Sequence, residues 1–330
     1  MKGYIWLFLA IFTLVTAAFA QTKNSKYEVT FFGAPPPGQD VWSLPRAVAA
    51  DGKGTVIVFR AFQPPVLMFN RAGELQKTWG EGVFVDAHSI DFDREGFLWL
   101  TDRKHQMVFK YTADGKQLMG LGKKGVAGDN NAMDAFNAPA DVAIASNGDI
   151  FVADGHVNSR VVHFSKEGKF IKIIGGTKGP GPGQFEVPHG LAIDSKGRLL
   201  ILDQQPTAKN PRVQVFDQSG KFIEQWTNIG LQQPTGITIA ADDTVYIADT
   251  DANAVFVVKD GKRVDLIGSL QARPHHIALD PSTNVLYLAD PVTLEQAGGL
   301  SAVQRRLDPI TNDPGNPIDG GLVKQIIPKK

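Results

Sequence analysis

Short apolar segments alternate with turn-forming residues along most of this chain, and their order recurs. In each unit an apolar strand runs into a turn of Asp, Gly, Lys or Asn, and a second apolar strand that ends in aspartate follows. A third strand, a turn that contains Gly-Lys and a fourth strand complete the unit. Four short strands that recur about every 36 to 50 residues are typical of propeller blades. The pattern therefore predicts an all-β fold.

The strand-ending aspartate marks the repeat most clearly. It ends the predicted second strands at residues 97–102, 150–154, 199–203, 245–249 and 285–290. An earlier unit, residues 44–80, has the same order of strands but carries Arg60 in place of the aspartate. Six units in a row predict a six-bladed β-propeller. Because the aspartates recur in most units, we interpret them as caps of turns rather than as catalytic acids.

The repeats follow one another without a linker, which predicts a single domain. A chain of 330 residues could hold two domains, but a propeller of this size takes about 300 residues in one piece. We assign residues 44–330 to the propeller, with an irregular part from about residue 291, and residues 21–43 to an N-terminal segment. Either residues 27–32 or the late apolar run at 322–327 is expected to supply an outer strand that joins the first and last blades.

The first twenty residues have the features of a signal peptide. Lys2 provides the positive start, residues 4–15 are apolar, and Ala18-Phe19-Ala20 forms a small-x-small cleavage site. The sequence therefore predicts a secreted or periplasmic protein that begins at Gln21 and has no membrane attachment after cleavage. No cysteine is present in the chain, so the exported domain is expected to depend on ring closure and core size rather than on disulfides.

Charge excludes two classes of partner. The chain has 34 basic and 34 acidic residues, and this balance provides no overall field to attract nucleic acid or an anionic membrane. We expect a monomer that binds a small molecule or a peptide.

Three histidines begin the first strand of alternate repeats. His88, His189 and His275 open the segments His-Ser-Ile-Asp-Phe-Asp, His-Gly-Leu-Ala-Ile-Asp and His-His-Ile-Ala-Leu-Asp. In a ring of six blades alternate blades lie about 120° apart, so the three side chains should converge on the central channel. Three imidazoles predict a site for zinc or another divalent transition metal, with one coordination position open for water or substrate.

The other three repeats have a different residue at the histidine position, namely Arg46, Ala140 and Thr235. Arg46 is predicted to project into the channel and to contact substrate. His276 should point to the opposite strand face from His275, because side chains alternate along a strand, and is interpreted as structural. Calcium is not expected, since the channel positions singled out offer imidazole rather than the oxygen ligands that calcium prefers.

Three runs of sequence resemble a known family. They are Phe136-Asn-Ala-Pro-Ala-Asp-Val-Ala, Asp154-Gly-His-Val-Asn-Ser-Arg160 and Pro180-Gly-Pro-Gly-Gln-Phe-Glu-Val-Pro-His189-Gly-Leu. Over roughly residues 40–290 the chain resembles the catalytic domain of peptidyl-α-hydroxyglycine α-amidating lyases. This resemblance implies an NHL-type six-bladed propeller with a channel zinc on His88, His189 and His275. It also implies that Arg60, which matches a family arginine, binds the substrate carboxylate.

The chain departs from the family pattern at three positions near the motifs. His156 stands where the family has a catalytic tyrosine, Gln204 where it has an arginine, and His276 where it has a calcium-binding aspartate. The family's disulfides are also absent. His156 has three open interpretations, as a general base, as a fourth metal ligand and as a surface loop residue. Gln204 is assigned to substrate binding.

Two functions from different classes follow. The first is a metal-dependent lyase that cleaves a carboxylated carbinolamide to an amide and glyoxylate, with Arg60 and His156 as its catalytic residues. The second is a non-catalytic secreted propeller that holds the metal structurally and binds a protein or a glycan. The calcium-dependent lactonase propellers form a third class and are least favoured, because they prefer oxygen ligands.

The signal-peptide prediction is tested by the N-terminus of exported protein. We expect N-terminal sequencing of periplasmic or secreted material to begin at Gln21, directly after the predicted cleavage site. Mature protein that still carries Met1 would contradict cleavage and would indicate an anchored form.

Overall fold

The computed structural model describes residues 26–34, 36–37, 44–268, 270, 273–291 and 322–329. Over these residues the chain forms 24 β-strands in six four-stranded sheets, and no helix. The predicted all-β, six-bladed propeller is therefore confirmed. The predicted signal peptide at 1–20 and the irregular part at 292–321 lie outside the described residues. No described segment forms a helix of the length and apolarity needed to cross a membrane.

Five sheets, blades 1 to 5, each consist of four consecutive antiparallel strands. Blade 1 contains β2 (Pro45–Ala50), β3 (Thr55–Arg60), β4 (Val66–Asn70) and β5 (Leu75–Trp79). Blade 2 contains β6 (Ala87–Phe92), β7 (Leu98–Asp102), β8 (Met107–Tyr111) and β9 (Gln117–Gly122). Blade 3 contains β10 (Asp141–Ile144), β11 (Ile150–Asp154), β12 (Arg160–Phe164) and β13 (Phe170–Gly175). Blade 4 contains β14 (Pro188–Ile193), β15 (Leu199–Asp203), β16 (Arg212–Phe216) and β17 (Phe222–Trp226). Blade 5 contains β18 (Pro234–Ile239), β19 (Val245–Asp249), β20 (Ala254–Lys259) and β21 (Lys262–Ile267).

Blade 6 joins the two ends of the chain. Its strands are β22 (His276–Asp280), β23 (Val285–Asp290), β24 (Leu322–Pro328) and, outermost, β1 (Tyr27–Phe31). β1 runs antiparallel to β24 along its whole length. Both segments that the sequence offered as the closing strand are thus used in the same blade. The ring is closed by backbone hydrogen bonds, with no covalent link.

Apolar side chains fill the spaces between blades on both faces of the second strands. In β15, Leu199 and Ile201 belong to the core shared with blade 3, while Leu200 and Leu202 belong to the core shared with blade 5. Because both faces are buried, this strand is a continuous apolar run rather than an alternating one. Second strands that are continuous apolar runs also explain why the repeat could be recognised in the sequence.

The aspartates that end the second strands act as caps, as predicted. Asp203 is fully buried and accepts hydrogen bonds from the backbone N–H groups of Glu186 and Val187, at 2.9 and 3.0 Å. Asp249 accepts equivalent bonds from Gln232 and Gln233, at 2.7 and 2.9 Å. Each carboxylate therefore fixes the segment that leads into the first strand of its own blade.

Phe32 packs across the closure. Its ring lies 5.8 Å from that of Phe69 in blade 1 and 4.8 Å from that of Tyr287 in blade 6, measured between centroids. The side chain is 2% exposed. Its position makes it a contact between the first and last blades, in addition to the pairing of β1 with β24.

Removal of the Phe32 ring should destabilise the closed ring. We expect Phe32→Ala to lower the free energy of unfolding by about 3 to 5 kcal/mol, because it removes a large buried ring and leaves a cavity. Urea denaturation followed by tryptophan fluorescence measures the change. Phe62→Ala is the matched control, since Phe62 is 57% exposed and its loss should change stability by no more than about 0.5 kcal/mol. Equal effects of the two substitutions would contradict the role of Phe32.

Candidate metal centre

The structure brings the three predicted histidines together on the axis of the ring. The ring centroids lie 5.0 Å apart for His88 and His189, 4.8 Å for His88 and His275, and 5.3 Å for His189 and His275. One nitrogen of each ring lies within 4.8 Å of the other two. Two of the three are buried and His275 is partly buried. The predicted convergence is thus observed, and metal binding by these residues stays a prediction.

A backbone carbonyl of the next blade fixes the orientation of each imidazole. The Nδ1 atoms lie 2.6 Å from Ala140 O for His88, 2.8 Å from Thr235 O for His189 and 2.9 Å from Arg46 O for His275. A carbonyl oxygen can only accept, so each Nδ1 carries the proton and donates. This tautomer places a lone pair on each Nε2, the atom through which the ring can bind a metal ion. Hydrogen bonds of this kind are typical of metal-bound histidines.

Burial keeps these imidazoles neutral. It lowers the pKa of His189 to about 4 and the pKa values of His88 and His275 well below the usual range, and the neighbouring histidines lower those two further. Neutral imidazole is the form that binds metal ions. The charge state, the tautomer and the convergence therefore all suit a divalent transition-metal ion, and the residues present fit the predicted group.

His156 lies against this cluster. Its Nε2 is 2.9 Å from the Nε2 of His88, and its ring centroid is 5.0 Å from that of His189. Because His88 carries its proton on Nδ1, its Nε2 is the acceptor and His156 Nε2–H donates. Burial lowers the pKa of His156 well below the usual range. This contact contradicts the interpretation of His156 as a surface loop residue, and leaves the general base and the fourth ligand.

The loop that carries His156 is held at both ends. Asp154 accepts hydrogen bonds from Arg160 Nε at 2.9 Å and from Asn158 Nδ2 at 2.8 Å. Gly155 lies against the strand of His189, where a Cβ atom would come within 1.8 Å of Pro188 O. Any side chain at Gly155 would push the loop away from the cluster. These contacts together position one side chain of the loop, His156.

A cavity of about 260 Å³ opens beside the histidines. Its lining includes His156, His189 and His275, together with the predicted substrate-binding residues Arg46 and Gln204. The lining also includes residues that were not predicted, namely Gln233, Thr250, Arg273 and Asp290. A signal for one of them was present. Thr250 follows the strand-ending Asp249 as Gln204 follows Asp203, so the position after that aspartate could have been predicted to face the cavity.

Arg60 is held by its own turn, away from the cavity lining. It is fully buried, and its guanidinium donates to Pro64 O at 2.9 Å and to Gln63 O at 3.0 Å. Burial lowers its pKa to about 10. Arg60 does not line the cavity beside the histidines. The structure therefore does not bring Arg60 to the other predicted substrate-binding residues. Instead, backbone carbonyls of its own turn accept hydrogen bonds from its guanidinium.

A second polar cluster lies in the channel and consists of Asp91, Asp141 and His276. The expectation that the channel offers no oxygen ligands was therefore wrong. A register shift in β6 between Ala87 and Ile90 breaks the alternation of side chains and allows Asp91 to share the channel with His88.

The second cluster has hydrogen bonds of its own. His276 Nδ1 accepts a long bond of 3.5 Å from Val48 N–H, so its Nε2 carries the proton. That Nε2 lies 3.8 Å from an oxygen of Asp91. Burial raises the pKa of Asp141 to about 6, and burial together with Asp141 raises that of Asp91. The cluster offers two carboxyl groups, whereas calcium takes about six to eight oxygen ligands, so calcium remains unexpected here.

Comparison with known proteins agrees with this fold. A family model described as a 6-bladed beta-propeller matches residues 137–209. A Caenorhabditis elegans protein named as a probable peptidyl-α-hydroxyglycine α-amidating lyase is 33% identical over 198 residues, which is 59% of this chain and 51% of the relative. The chain is a homologue of such lyases. The predicted resemblance is thereby confirmed, and the chain spans about half the length of this relative.

Other similar proteins have different names. Human NHL repeat-containing protein 3 is 27% identical over 252 residues, covering 69% of this chain and 70% of the relative. A gluconolactonase structure from Xanthomonas campestris superposes with a TM-score of 0.61 at 12% identity, covering 92% of this chain and 89% of the other. At that identity the likeness concerns the propeller fold alone.

Metal content tests the three histidines. We expect about one divalent ion per chain in protein purified without chelator. His88→Ala, His189→Ala and His275→Ala should each lower the occupancy sharply, because each removes one of three ligands. Elemental analysis gives the content, and circular dichroism shows whether the propeller stays folded. Thr235→Ala is the matched control, since the backbone carbonyl that positions His189 is unchanged. Full occupancy in a folded triple alanine variant would refute the assignment.

Proposed function

We propose that this chain is a secreted, metal-dependent carbon–nitrogen lyase that cleaves a carboxylated carbinolamide, such as a peptidyl-α-hydroxyglycine, to an amide and glyoxylate. One observation carries the proposal. Three neutral imidazoles, each held by a carbonyl of the next blade, meet beside a cavity into which a fourth histidine projects. The lyase-named homologue supports the reaction class.

His88, His189 and His275 would hold zinc or another divalent transition metal. Such an ion acts as a Lewis acid and lowers the pKa of a hydroxyl group that it binds. The protein residues set the conditions for this chemistry. Burial keeps the three imidazoles neutral, and their Nδ1 bonds leave Nε2 as the only nitrogen available to a ligand.

His156 would act as the general base. It is neutral and it lies in the cavity, next to the cluster. Burial lowers the pKa of His156 well below the usual range, so it is unprotonated at neutral pH, the form that a general base needs before it takes a proton. When His156 takes the proton of the substrate hydroxyl, the oxygen forms the carbonyl of glyoxylate. The carbon–nitrogen bond breaks, its electron pair stays on the nitrogen, and that nitrogen takes up a proton to become the amide.

Gln204 would bind the substrate beside this base. It lines the cavity, and its Nε2 donates to Pro234 O at 3.2 Å. That bond uses one of the two N–H groups of the amide, which leaves the other N–H to donate and the oxygen to accept from a substrate. An amide donates and accepts where the family's arginine only donates, so the two residues differ in the groups that they can bind.

A non-catalytic propeller is the second candidate. It is favoured by the direct contact of 2.9 Å between His156 and His88, because a fourth imidazole on the metal would leave no position for substrate. The human NHL repeat-containing relative shows that similar chains are not all named as enzymes. In this case the metal would be structural, and the loop face would bind a protein or a glycan.

Substitution of His156 separates the two candidates. We expect the wild-type protein to release glyoxylate from an α-hydroxyglycine peptide. His156→Ala should lower the rate by about 10² to 10⁴, the usual cost of losing a general base. His156→Tyr should retain or raise the rate, since tyrosine is the family's residue at this position. The readout is glyoxylate formation, with metal content measured in parallel.

The control for this experiment is Val157→Ala, because Val157 is the neighbouring residue in the loop and is 65% exposed. It should behave as the wild type does. The lyase assignment would be contradicted if neither the wild type nor His156→Tyr released glyoxylate above the metal-free background. The non-catalytic binding propeller would then be favoured.

A further inference from the structure

Arg46 links the metal-binding cluster to the cavity. It occupies the histidine position of blade 1, on strand β2, and its carbonyl oxygen accepts the Nδ1–H of His275 at 2.9 Å. Its side chain lines the same cavity as His156 and His189. The backbone of one residue therefore orients a predicted metal ligand, while its guanidinium faces the space where a substrate would lie.

The charge of Arg46 is not neutralised in this cavity. Its Nε atom is buried and has no hydrogen-bond partner among the described residues. Asp86 and Arg103 are the charged groups that act on it. Asp86 is already held by Arg103, with contacts of 3.0 Å to Nε and 2.8 Å to Nη2. The Asp86–Arg103 pair therefore leaves Arg46 without a carboxylate of its own.

The other charged groups at the cavity have partners. Arg273 forms an ion pair with Asp251 at 2.7 Å. Asp290 interacts electrostatically with the buried Lys324. The histidines are neutral because they are buried. One uncompensated cation thus remains beside the cluster, and a divalent ion there would add to the positive charge.

We propose that Arg46 is the residue that binds the carboxylate of the substrate. This inference rests on the proposed function and adds the residue that recognises the substrate. A planar guanidinium can hold a carboxylate through two parallel hydrogen bonds. Because Arg46 also positions His275, the carboxylate and the hydroxyl of one small substrate can be held at a fixed separation.

Arg60 is less suited to this role than Arg46. The resemblance to the lyases implies that Arg60 binds the carboxylate, yet its Nε and Nη2 donate to Pro64 O and Gln63 O. Binding of a carboxylate would have to replace those bonds. Arg46 requires no such exchange at its Nε, which has no partner among the described residues.

Equilibrium binding tests the proposal without turnover. The probes are N-benzoylglycine, which has the free carboxylate, and N-benzoylglycinamide, which lacks its charge. Titration calorimetry on metal-loaded wild-type protein should show the acid binding at least tenfold more tightly than the amide. Arg46→Met should weaken binding of the acid by about 10- to 100-fold, as expected for a charged hydrogen-bonded partner, and should leave binding of the amide unchanged.

Two further variants control for charge and fold. Arg46→Lys keeps the charge but loses the paired donors, so it should fall between the wild type and Arg46→Met. Arg71→Met removes an arginine that pairs with Asp280 outside the cavity and should retain the full preference for the acid. Metal content should be normal in all variants, because any residue at position 46 supplies the carbonyl to His275.

The outcomes are separable. An unchanged preference for the acid in Arg46→Met, no preference in the wild type, or loss of the preference in Arg60→Met alone would overturn the role of Arg46. Glyoxylate release by Arg46→Met with wild-type KM would also overturn it, while the lyase assignment stood. If the preference depends on Arg46 but the wild type releases no glyoxylate, the lyase assignment fails and the carboxylate site remains.

Discussion

The pairing of β1 with β24 is the constraint on which the candidate site depends. The three histidines come from blades 2, 4 and 6, so they meet only if the ring is closed. Closure joins residues from the two ends of the chain by backbone hydrogen bonds, and Phe32 packs from β1 onto blade 1 and blade 6. It also places Arg46 of the first blade next to His275 of the last, so that the carbonyl of the one can orient the ring of the other. Stability of the fold and geometry of the site thus have the same origin.

Ring closure also explains why odd and even blades contribute different groups to the site. Blades 2, 4 and 6 supply imidazoles, and the residues at the same position of blades 3, 5 and 1 supply the carbonyls that fix them. Any residue offers a carbonyl, so the side chains at these positions are free to differ. They are a small residue at Ala140, a hydroxyl at Thr235 and a cation at Arg46. These positions contribute to the asymmetry of the cavity, since of the three residues only Arg46 carries a charge. A symmetric set of ligands can therefore serve a substrate that has two chemically different ends.

The sequence was sufficient for the fold, for the three histidines and for the caps, because each is a side-chain pattern repeated at a fixed position. It was insufficient where backbone geometry decides. The carbonyl partners leave no trace in residue type. Strict alternation along β6 would place Asp91 on the opposite face from His88, but the register shift between Ala87 and Ile90 breaks that alternation. Arg60 was matched by its place in the repeat, but the carbonyls of its own turn hold its guanidinium. The position of His156 could not be predicted without the structure of its loop, which packs against Pro188 through Gly155.

The contact between His156 and His88 connects metal binding with proton transfer. His88 donates through Nδ1 to Ala140, so its Nε2 lone pair accepts the proton on His156 Nε2. An ion bound at His88 Nε2 would use that lone pair, and the proton of His156 would then lose its acceptor. His156 would then respond either by turning its unprotonated nitrogen toward the cavity, where it can act as a base, or by carrying its proton on Nδ1 and binding the ion through Nε2. Gln204 and Arg46 line the same cavity, and polar contacts from them to a bound substrate would favour the first response. Without contacts to a substrate, the second response would close the site. A substrate that fills the cavity is therefore what would distinguish an enzyme from a structural metal site in this chain.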